Sequence, residues 1–347
     1  MSPELGPSAG GPLAIGLPLW LAIHLAIGVV VTWLARRYAL RRRLLDQPGE
    51  RRSHTVATPR GGGISIVVAL LLACAWLALR DPAQAGYLGA AGIGLALVAG
   101  IGWLDDHRPL SQGLRLGVHV LAAALLAVAA YQGNGQVMLA VAAFVLALVL
   151  VNIWNFMDGI DGLAASQAMI SAIGYAFIAG QGNAMWLALA LAAACSGFLP
   201  FNFPRARIFL GDVGSGALGY ALAVVLTMVA GSSEASRPVL LGLMLLPLSA
   251  FVIDATLTLG TRMLRGDRWW TPHAEHAYQR WVRRAQGHWA VTLAYAAWTT
   301  LAVAVMLAAS STPVAFIMLT VVAWYLTGIG IWWRVRREGG IAGAHRE

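Results

Sequence analysis

The chain has 347 residues, of which 59% are hydrophobic and only 11% charged, and its formal net charge is +9 at pH 7. Apolar runs of about 18 to 22 residues recur along it, and each is long enough to cross a bilayer as a helix. This composition excludes a soluble globular domain, and no arginine-rich stretch with interleaved aromatic residues indicates a nucleic-acid groove.

The apolar runs predict an all-α, polytopic integral membrane protein that forms a single domain over residues 1–347. About eleven transmembrane helices are expected, at roughly 13–35, 63–80, 86–104, 115–131, 136–153, 164–180, 184–201, 213–231, 238–261, 288–309 and 313–333. The first run has no small-residue cleavage site and is interpreted as a retained helix. Cys74 and Cys195 lie inside apolar runs, which favours core packing over a disulfide or a metal site.

The arginines predict how the helices are oriented. The chain contains no lysine, and every arginine except Arg80 and Arg237 falls after an odd-numbered predicted helix. Because cytoplasmic loops are the ones enriched in basic residues, the N-terminus is expected outside and the C-terminus in the cytoplasm. The loops that then share the cytoplasmic side lie at about 36–62, 104–114, 152–163, 202–213 and 262–288. They hold most of the carboxylates, so any chemistry is expected there.

The first of these loops has two parts. Residues 41–43 are consecutive arginines, a pattern typical of an anchor at anionic lipid headgroups. Residues 51–63 combine arginines and a histidine with three glycines before a helix. Backbone N–H groups and a helix N-terminus can bind a phosphate there, although glycines also form plain turns.

The second loop begins with two adjacent carboxylates, Asp105 and Asp106, at the end of a predicted membrane helix. Neighbouring carboxylates repel each other unless a cation or a proton compensates them. A metal or proton-transfer role is therefore favoured over a simple solvated loop.

The third loop carries four polar residues at every third position, namely Asn152, Asn155, Asp158 and Asp161. This spacing places neighbours close together on a helix or a tight helical turn. Carboxylate and amide oxygens are the ligands that a hard cation such as Mg²⁺ prefers. A helix cap uses one such residue and not four, so the pattern predicts a cation site.

In the fourth loop, Asp212 opens a glycine-rich helix. A capping role would explain the aspartate but not Gly211, Gly214 and Gly216, which suit close approach by a phosphate or a nucleotide. Further along, Asp254 lies within the ninth predicted helix. An ionisable residue at that depth is a functional candidate, but a hydrogen-bonded structural role is equally open.

The fifth loop combines His273, His276 and Arg280 with further arginines. Histidines three residues apart can share a helical face and form a zinc pair, but no cysteine or third ligand lies nearby. A lid that binds phosphate is the favoured interpretation.

Four of these stretches, taken together and in this order, resemble the polyprenyl-phosphate N-acetylhexosamine-1-phosphate transferase superfamily, of the glycosyltransferase family 4 type. They are Asp105-Asp106, the motif at 152–163, the segment at 209–215 and the loop with His273 and His276. The resemblance covers roughly residues 45–285. The last loop lacks the consecutive histidines of the peptidoglycan translocase and is similar to that of the O-antigen-initiating branch. Some relatives place a lysine in the first loop, where Arg52 or Arg60 is the expected substitute.

The resemblance implies transfer of HexNAc 1-phosphate from a UDP-sugar to undecaprenyl phosphate, with release of UMP. The sugar would be GlcNAc or a 6-deoxy-HexNAc such as FucNAc. The implied pathway is the synthesis of O-antigen or a related polysaccharide at the bacterial inner membrane, with the active site on the cytoplasmic face. Direct attack by the lipid phosphate is favoured over a covalent aspartyl intermediate. The resemblance also leaves a homodimer open, and no nucleic-acid partner is expected.

Residue roles follow from the same resemblance. Asp212 and Asn155 would bind Mg²⁺, with Mn²⁺ as an alternative ion, and Asp158 would support them. Asp105 would orient or deprotonate the lipid phosphate, with Asp106 adjacent. Asp161 would contact the uracil. The remaining expected contacts of the nucleotide, diphosphate or sugar are Asn152, Gly211, His273, His276, Arg280 and Arg60.

Two other functions stay open at this point. One is a translocase of the peptidoglycan lipid I type. The other is a proton-coupled secondary transporter, which the number of helices and Asp254 allow. Transporter sites lie near the membrane midplane, whereas the carboxylates of this chain collect at one surface and no inverted repeat is visible, so the transporter is disfavoured.

Overall fold

The computed structural model describes residues 15–47, 56–232, 238–267, 274–285 and 287–341. Most of the described residues are helical. The helices are α1 (Leu17–Arg42), α2 (Ile64–Arg80), α3 (Ala85–His107), α4 (Gln112–Asn134), α5 (Val137–Met157), α6 (Leu163–Ala179), α7 (Gly182–Asn202), α8 (Asp212–Gly231), α9 (Pro238–Met244), α10 (Ser249–Leu264), α11 (Ala277–Ala285), α12 (His288–Ala309) and α13 (Val314–Ile341).

The predicted all-α membrane fold is confirmed. Within the described ranges, nine helices are long and apolar enough to cross a membrane, if α9 and α10 are taken as parts of one span. The two shorter apolar helices, α2 and α6, coincide with two further predicted spans. Cys74 and Cys195 are free and buried, as expected for core residues. The outside position of the N-terminus stays a prediction.

Several boundaries differ from the prediction. Helix α1 continues past residue 35 to Arg42, and α13 continues past 333 to Ile341, because charged residues end the apolar run without ending the helix. The ninth predicted span is broken between α9 and α10 by a short 3₁₀ turn that contains Pro247, whose ring cannot continue a regular helix. In the first loop, strand β1 (Leu45–Asp46) pairs antiparallel with β2 (Thr58–Pro59).

Helix α8 forms the centre of the bundle. Nearly all of its residues are buried, and it packs against α3, α5 and α6. At its first turn the neighbouring backbones come unusually close. A methyl group at Gly63, before α2, would lie 2.2 Å from the Cα of Gly214, and one at Gly102 in α3 would lie 2.3 Å from the carbonyl oxygen of Asp212. Because these glycines have no side chain, the ends of α2, α3 and α8 can pack closely against one another.

The Gly102→Ala variant tests this close packing. Because its methyl group would collide with the backbone of α8, we expect a loss of about 1 to 3 kcal/mol in unfolding free energy, seen as a lower thermal unfolding temperature in detergent. Gly100 lies on the same helix with nothing within 4 Å of a methyl group. The Gly100→Ala control should unfold at the wild-type temperature or slightly above it, since alanine favours helix. Equal unfolding temperatures for the two variants would contradict the packing argument.

Candidate active site

The five loops predicted to share one side meet at one end of the bundle. Arg60 of the first loop donates a hydrogen bond to the backbone carbonyl of Asp106 in the second. Asn155 of the third loop reaches Asp212 at the end of the fourth. Tyr278 of the fifth loop donates to the carbonyl of Phe156, 3.2 Å away, at the end of α5. Contacts between loops therefore bring Arg60, Asp106, Asn155 and Asp212 together.

Backbone hydrogen bonds hold the first and fourth loops side by side. The amide of Phe209 donates to the carbonyl of Pro59 at 2.8 Å, and the amide of Gly62 donates to the carbonyl of Phe209 at 2.9 Å. Gly211 has a φ of +77°, and a methyl group on it would lie 2.7 Å from an oxygen of Asp106. Packing between loops thus explains why Gly211 is a glycine, and its predicted contact with the nucleotide stays a prediction.

Asp106 holds the start of α8. Its side chain is 4% exposed, and its two oxygens accept hydrogen bonds from the amides of Asp212 and Val213, each at 3.2 Å. The first amides of a helix have no partner within the helix, so a carboxylate from α3 satisfies them here. Arg60 lies beside the pair, with its Nε 3.7 Å from Asp106 Oδ1. The structure thus places Asp106 as a positioning residue, and its predicted catalytic role stays a prediction.

A guanidinium group links the other two carboxylates. Nη1 of Arg115, in the first turns of α4, lies 2.6 Å from Asp105 Oδ2 and 3.2 Å from Asp212 Oδ2. The second oxygen of Asp105 accepts a hydrogen bond from the amide of Leu110 at 2.6 Å. We name Asp105, Arg115 and Asp212 the carboxylate–arginine cluster. From the sequence, Arg115 indicated only the orientation of the helices, and the one signal for a role in the site was its place at the start of the helix that follows Asp105.

The four polar residues of the third loop do not form one cluster. Asn155 Nδ2 donates to Asp212 Oδ1 at 3.0 Å and to Ser215 Oγ at 3.2 Å, so it belongs to the site. Asn152 instead donates to the carbonyl of Leu148 in its own helix at 2.7 Å. Asp158 follows the end of α5. Burial first, and then the negative charges of the neighbouring aspartates, raise the pKa of its carboxyl well above the ordinary value.

The donor atoms at the cluster match part of the ligand set of Mg²⁺. Among the described residues, no group of three or more histidine, cysteine, aspartate or glutamate side chains could hold a metal ion. Magnesium, however, is usually bound through one or two carboxylates together with substrate phosphates and water. The carboxylate of Asp212, fixed by Asn155 beside Asp105, supplies oxygen donors of that kind. The donor set therefore fits an ion shared with a phosphate substrate and does not fit an all-protein cage.

Asp161 contacts the fourth loop and α12. Its Oδ2 accepts a hydrogen bond from the amide of Ala206 in the fourth loop at 3.2 Å. Its Oδ1 lies 3.3 Å from Nδ1 of His288 at the start of α12, and its carbonyl accepts from Thr292 at 2.8 Å. No role for His288 was predicted from the sequence. The predicted uracil contact of Asp161 stays a prediction.

The fifth loop is anchored by Asp254, whose role the sequence left open. Asp254 is 2% exposed and accepts hydrogen bonds from the amides of Ala277 at 2.7 Å and Tyr278 at 3.1 Å, at the start of α11. The hydroxyl of Tyr295 donates to the same carboxylate at 3.0 Å. A carboxylate inside the bundle thus caps the short helix of the loop, so Asp254 has the structural role.

Of the two histidines of the fifth loop, the structure describes His276. His276 is 3% exposed and stacks with Phe156 and Tyr278, at ring-centroid distances of 6.3 and 5.9 Å. Arg280 Nη2 lies 3.8 Å from Glu275 Oε2. His273 and Arg52 lie outside the described residues. The contacts of His273, His276 and Arg280 with a diphosphate stay predictions.

Comparison with known proteins gives consistent matches. A model of the family described as glycosyl transferase family 4 matches residues 88–230. The chain is 30% identical to the decaprenyl-phosphate N-acetylglucosaminephosphotransferase of Mycobacterium tuberculosis, over 86% of each protein. It is 24% identical to the probable undecaprenyl-phosphate N-acetylglucosaminyl 1-phosphate transferase of Bacillus subtilis, over 77% of each. It is 34% identical to the phospho-N-acetylmuramoyl-pentapeptide-transferase of Moorella thermoacetica, over 58% of this chain and 71% of that protein.

Proposed function

The chain belongs to glycosyl transferase family 4, within the polyprenyl-phosphate N-acetylhexosamine-1-phosphate transferase superfamily, and on this premise we propose that it transfers HexNAc 1-phosphate from a UDP-sugar to undecaprenyl phosphate. The products would be undecaprenyl-diphospho-HexNAc and UMP. The proposed sugar is GlcNAc or a 6-deoxy-HexNAc such as FucNAc. The proposed setting is the cytoplasmic face of a bacterial inner membrane, at the first membrane step of O-antigen or a related polysaccharide.

The observation that carries this proposal is the carboxylate–arginine cluster at the end of the bundle. Arg115 joins Asp105 and Asp212 where α3, α4 and α8 reach the loops. A lipid phosphate held at the membrane surface and a water-soluble nucleotide sugar can meet only in such a place. The charges of the cluster suit a reaction between two phosphate groups, in which catalysis depends mainly on positioning and on neutralising charge.

In the proposed reaction, an oxygen of the lipid phosphate attacks the phosphorus that carries the sugar. The bond between that phosphorus and the bridging oxygen breaks, and UMP leaves with the electron pair. A phosphate monoester is mostly dianionic at neutral pH, so most of the lipid phosphate has no proton to lose. Asp105 therefore acts mainly by orienting the nucleophile. The guanidinium of Arg115, between Asp105 and Asp212, offsets the negative charge that two phosphates bring.

Mg²⁺ or Mn²⁺, held by Asp212 and Asn155 with support from Asp158, would neutralise charge on the diphosphate when bound. Asp106 would keep the start of α8, and with it Asp212, in place. Asp161 is proposed to contact the uracil. The other proposed contacts of the nucleotide, diphosphate or sugar remain Asn152, Gly211, His273, His276, Arg280 and Arg60.

An in vitro transfer assay tests the proposal. Purified full-length protein in detergent would receive undecaprenyl phosphate, Mg²⁺ and, in separate reactions, UDP-GlcNAc, UDP-GalNAc, a UDP-6-deoxy-HexNAc or UDP-MurNAc-pentapeptide. We expect UMP release that requires both the lipid and the divalent cation and that stops when EDTA is added. The donor with the highest kcat/KM identifies the sugar.

The other outcomes separate the alternatives. Turnover of UDP-MurNAc-pentapeptide alone would replace the proposed donor with that of the peptidoglycan translocase. If the folded protein binds UMP but turns over none of the donors, these sugars are excluded as substrates and the reaction class is retained. Folded protein that neither releases nor binds UMP would contradict the transferase.

A further inference from the structure

A second site is suggested by an apolar cavity that none of the active-site aspartates lines. The cavity has a volume of about 220 Å³ and lies between α10, α11, α12 and α13. Three tryptophans and three aliphatic positions form much of its wall, namely Trp281, Trp298, Trp332, Ile253, Ile331 and Gly328. Asp254 also borders it, but its carboxylate is occupied by the amides of α11 and by Tyr295. The cavity therefore offers apolar surface to a ligand.

An excess of positive charge lies at the end of this cavity. The guanidinium of Arg336 is 4.8 Å from the ring centroid of Trp332, a wall residue, and Arg284 donates a hydrogen bond at 2.8 Å to the carbonyl of Val335, another wall residue. Arg336 also belongs to a set of four arginines around the single carboxylate of Glu275: Arg262, Arg265, Arg280 and Arg336. The segments 262–284 and 334–338, which supply these arginines, contain nine arginines and three acidic residues, so their formal charge is positive and suits an anion.

From this juxtaposition we propose that the cavity and its arginines bind an anionic phospholipid, with an acyl chain among the tryptophans and the phosphate at the arginines. We name the cavity together with Arg284 and Arg336 the Trp–Arg site. Its walls come from α10, α12 and α13, which are long and apolar enough to belong to membrane spans, and from the short helix α11. Its arginines lie on α11 and near the end of α13, where the apolar segment ends. Basic pockets between membrane helices on the cytoplasmic side bind anionic headgroups, and tryptophan is enriched at that depth.

The occupant is a phospholipid and not the polyprenyl phosphate acceptor for a geometric reason. The acceptor must present its phosphate to the carboxylate–arginine cluster, and no residue of that cluster lines the cavity. The Trp–Arg site is built from α10 to α13, whereas Asp105, Arg115 and Asp212 belong to α3, α4 and α8. The proposal concerns a separate ligand and does not depend on the proposed reaction.

Native mass spectrometry of the full-length protein in a mild detergent tests the site. The probes are phosphatidylglycerol, which is anionic, phosphatidylcholine, which is zwitterionic, and undecaprenyl phosphate. We expect phosphatidylglycerol to bind more tightly than phosphatidylcholine. Arg336→Gln should weaken phosphatidylglycerol binding about fivefold, the value for one basic residue near a charged lipid. The control is Arg337→Gln, because Arg337 is exposed on the same helix and stacks on Trp333 instead.

A second pair of variants tests the cavity without changing charge. Ala294 lines the cavity on α12, and Ala297 is exposed on the same helix. Ala294→Phe should reduce phosphatidylglycerol binding at least as much as Arg336→Gln, and Ala297→Phe should not change it. The proposal fails if both members of each pair bind phosphatidylglycerol equally. It also fails if undecaprenyl phosphate displaces the phospholipid with the same dependence on Arg336 and Ala294, because the cavity would then hold the acceptor.

Discussion

The Asp212→Asn variant is expected to release UMP about 10²- to 10³-fold more slowly than the wild type, the range found when one preorganised electrostatic contact is removed from an active site. Asp212 is where two contacts of the site meet, since one oxygen accepts from Asn155 at 3.0 Å and the other from Arg115 at 3.2 Å. Asparagine keeps the shape but removes the charge that a hard cation requires. The decrease is measured as kcat at saturating lipid and donor.

The fold should survive this substitution. At the start of α8, the backbone amide of Asp212 donates a hydrogen bond to the carboxylate of Asp106. The side chain of Asp212 takes no part in this contact. The unfolding temperature of Asp212→Asn should therefore stay close to that of the wild type. Asp81→Asn is the matched control, because Asp81 lies between α2 and α3, at their other end, and contacts Asn183 there. Wild-type turnover by folded Asp212→Asn would remove this residue from the reaction.

The sequence predicted the helices well because a bilayer imposes one simple requirement. Each span needs a long apolar run, and all eleven predicted spans coincide with described helices. The break before α10 was missed, although Pro247 was a visible signal, because the apolar run continues through it. The extension of α1 to Arg42 was missed because the apolar run ends before the helix does. Hydropathy indicates which residues lie in lipid, and a helix can continue beyond them into the headgroup region.

The site was predicted less completely, because its residues are defined by contacts between distant segments. Asp212 and Asn155 were singled out from their neighbours in the chain, and the structure brings them into contact. Spacing alone could not show that Asn152 turns back to its own helix. Nor could it show that Asp106 caps α8 from another helix, or that His276 is buried between aromatic rings. Such roles depend on which helix ends are neighbours.

Arg115 is the clearest example of this limit, and its substitution is the second change expected to have a large effect. Arg115→Met should lower kcat/KM for undecaprenyl phosphate by about 10²-fold, again the scale of one electrostatic contact in an active site. Without the guanidinium, Asp105 and Asp212 lose the cation that both contact, and their repulsion would displace them. A dianionic lipid phosphate would then approach two carboxylates that have lost their shared guanidinium, so KM for the lipid should rise.

Arg115→Lys and Arg108→Met separate charge from geometry in this prediction. Lysine keeps the charge but not the length and shape of the guanidinium side chain, so Arg115→Lys should fall between Arg115→Met and the wild type. Arg108 is exposed in the same loop, and Arg108→Met should keep wild-type kinetics even though it removes an equal charge. Matching values for Arg115→Met and Arg108→Met would show that general surface charge, and not the link between Asp105 and Asp212, sets the rate. A KM for the UDP-sugar that rises more than the KM for the lipid would instead place Arg115 on the nucleotide side of the reaction.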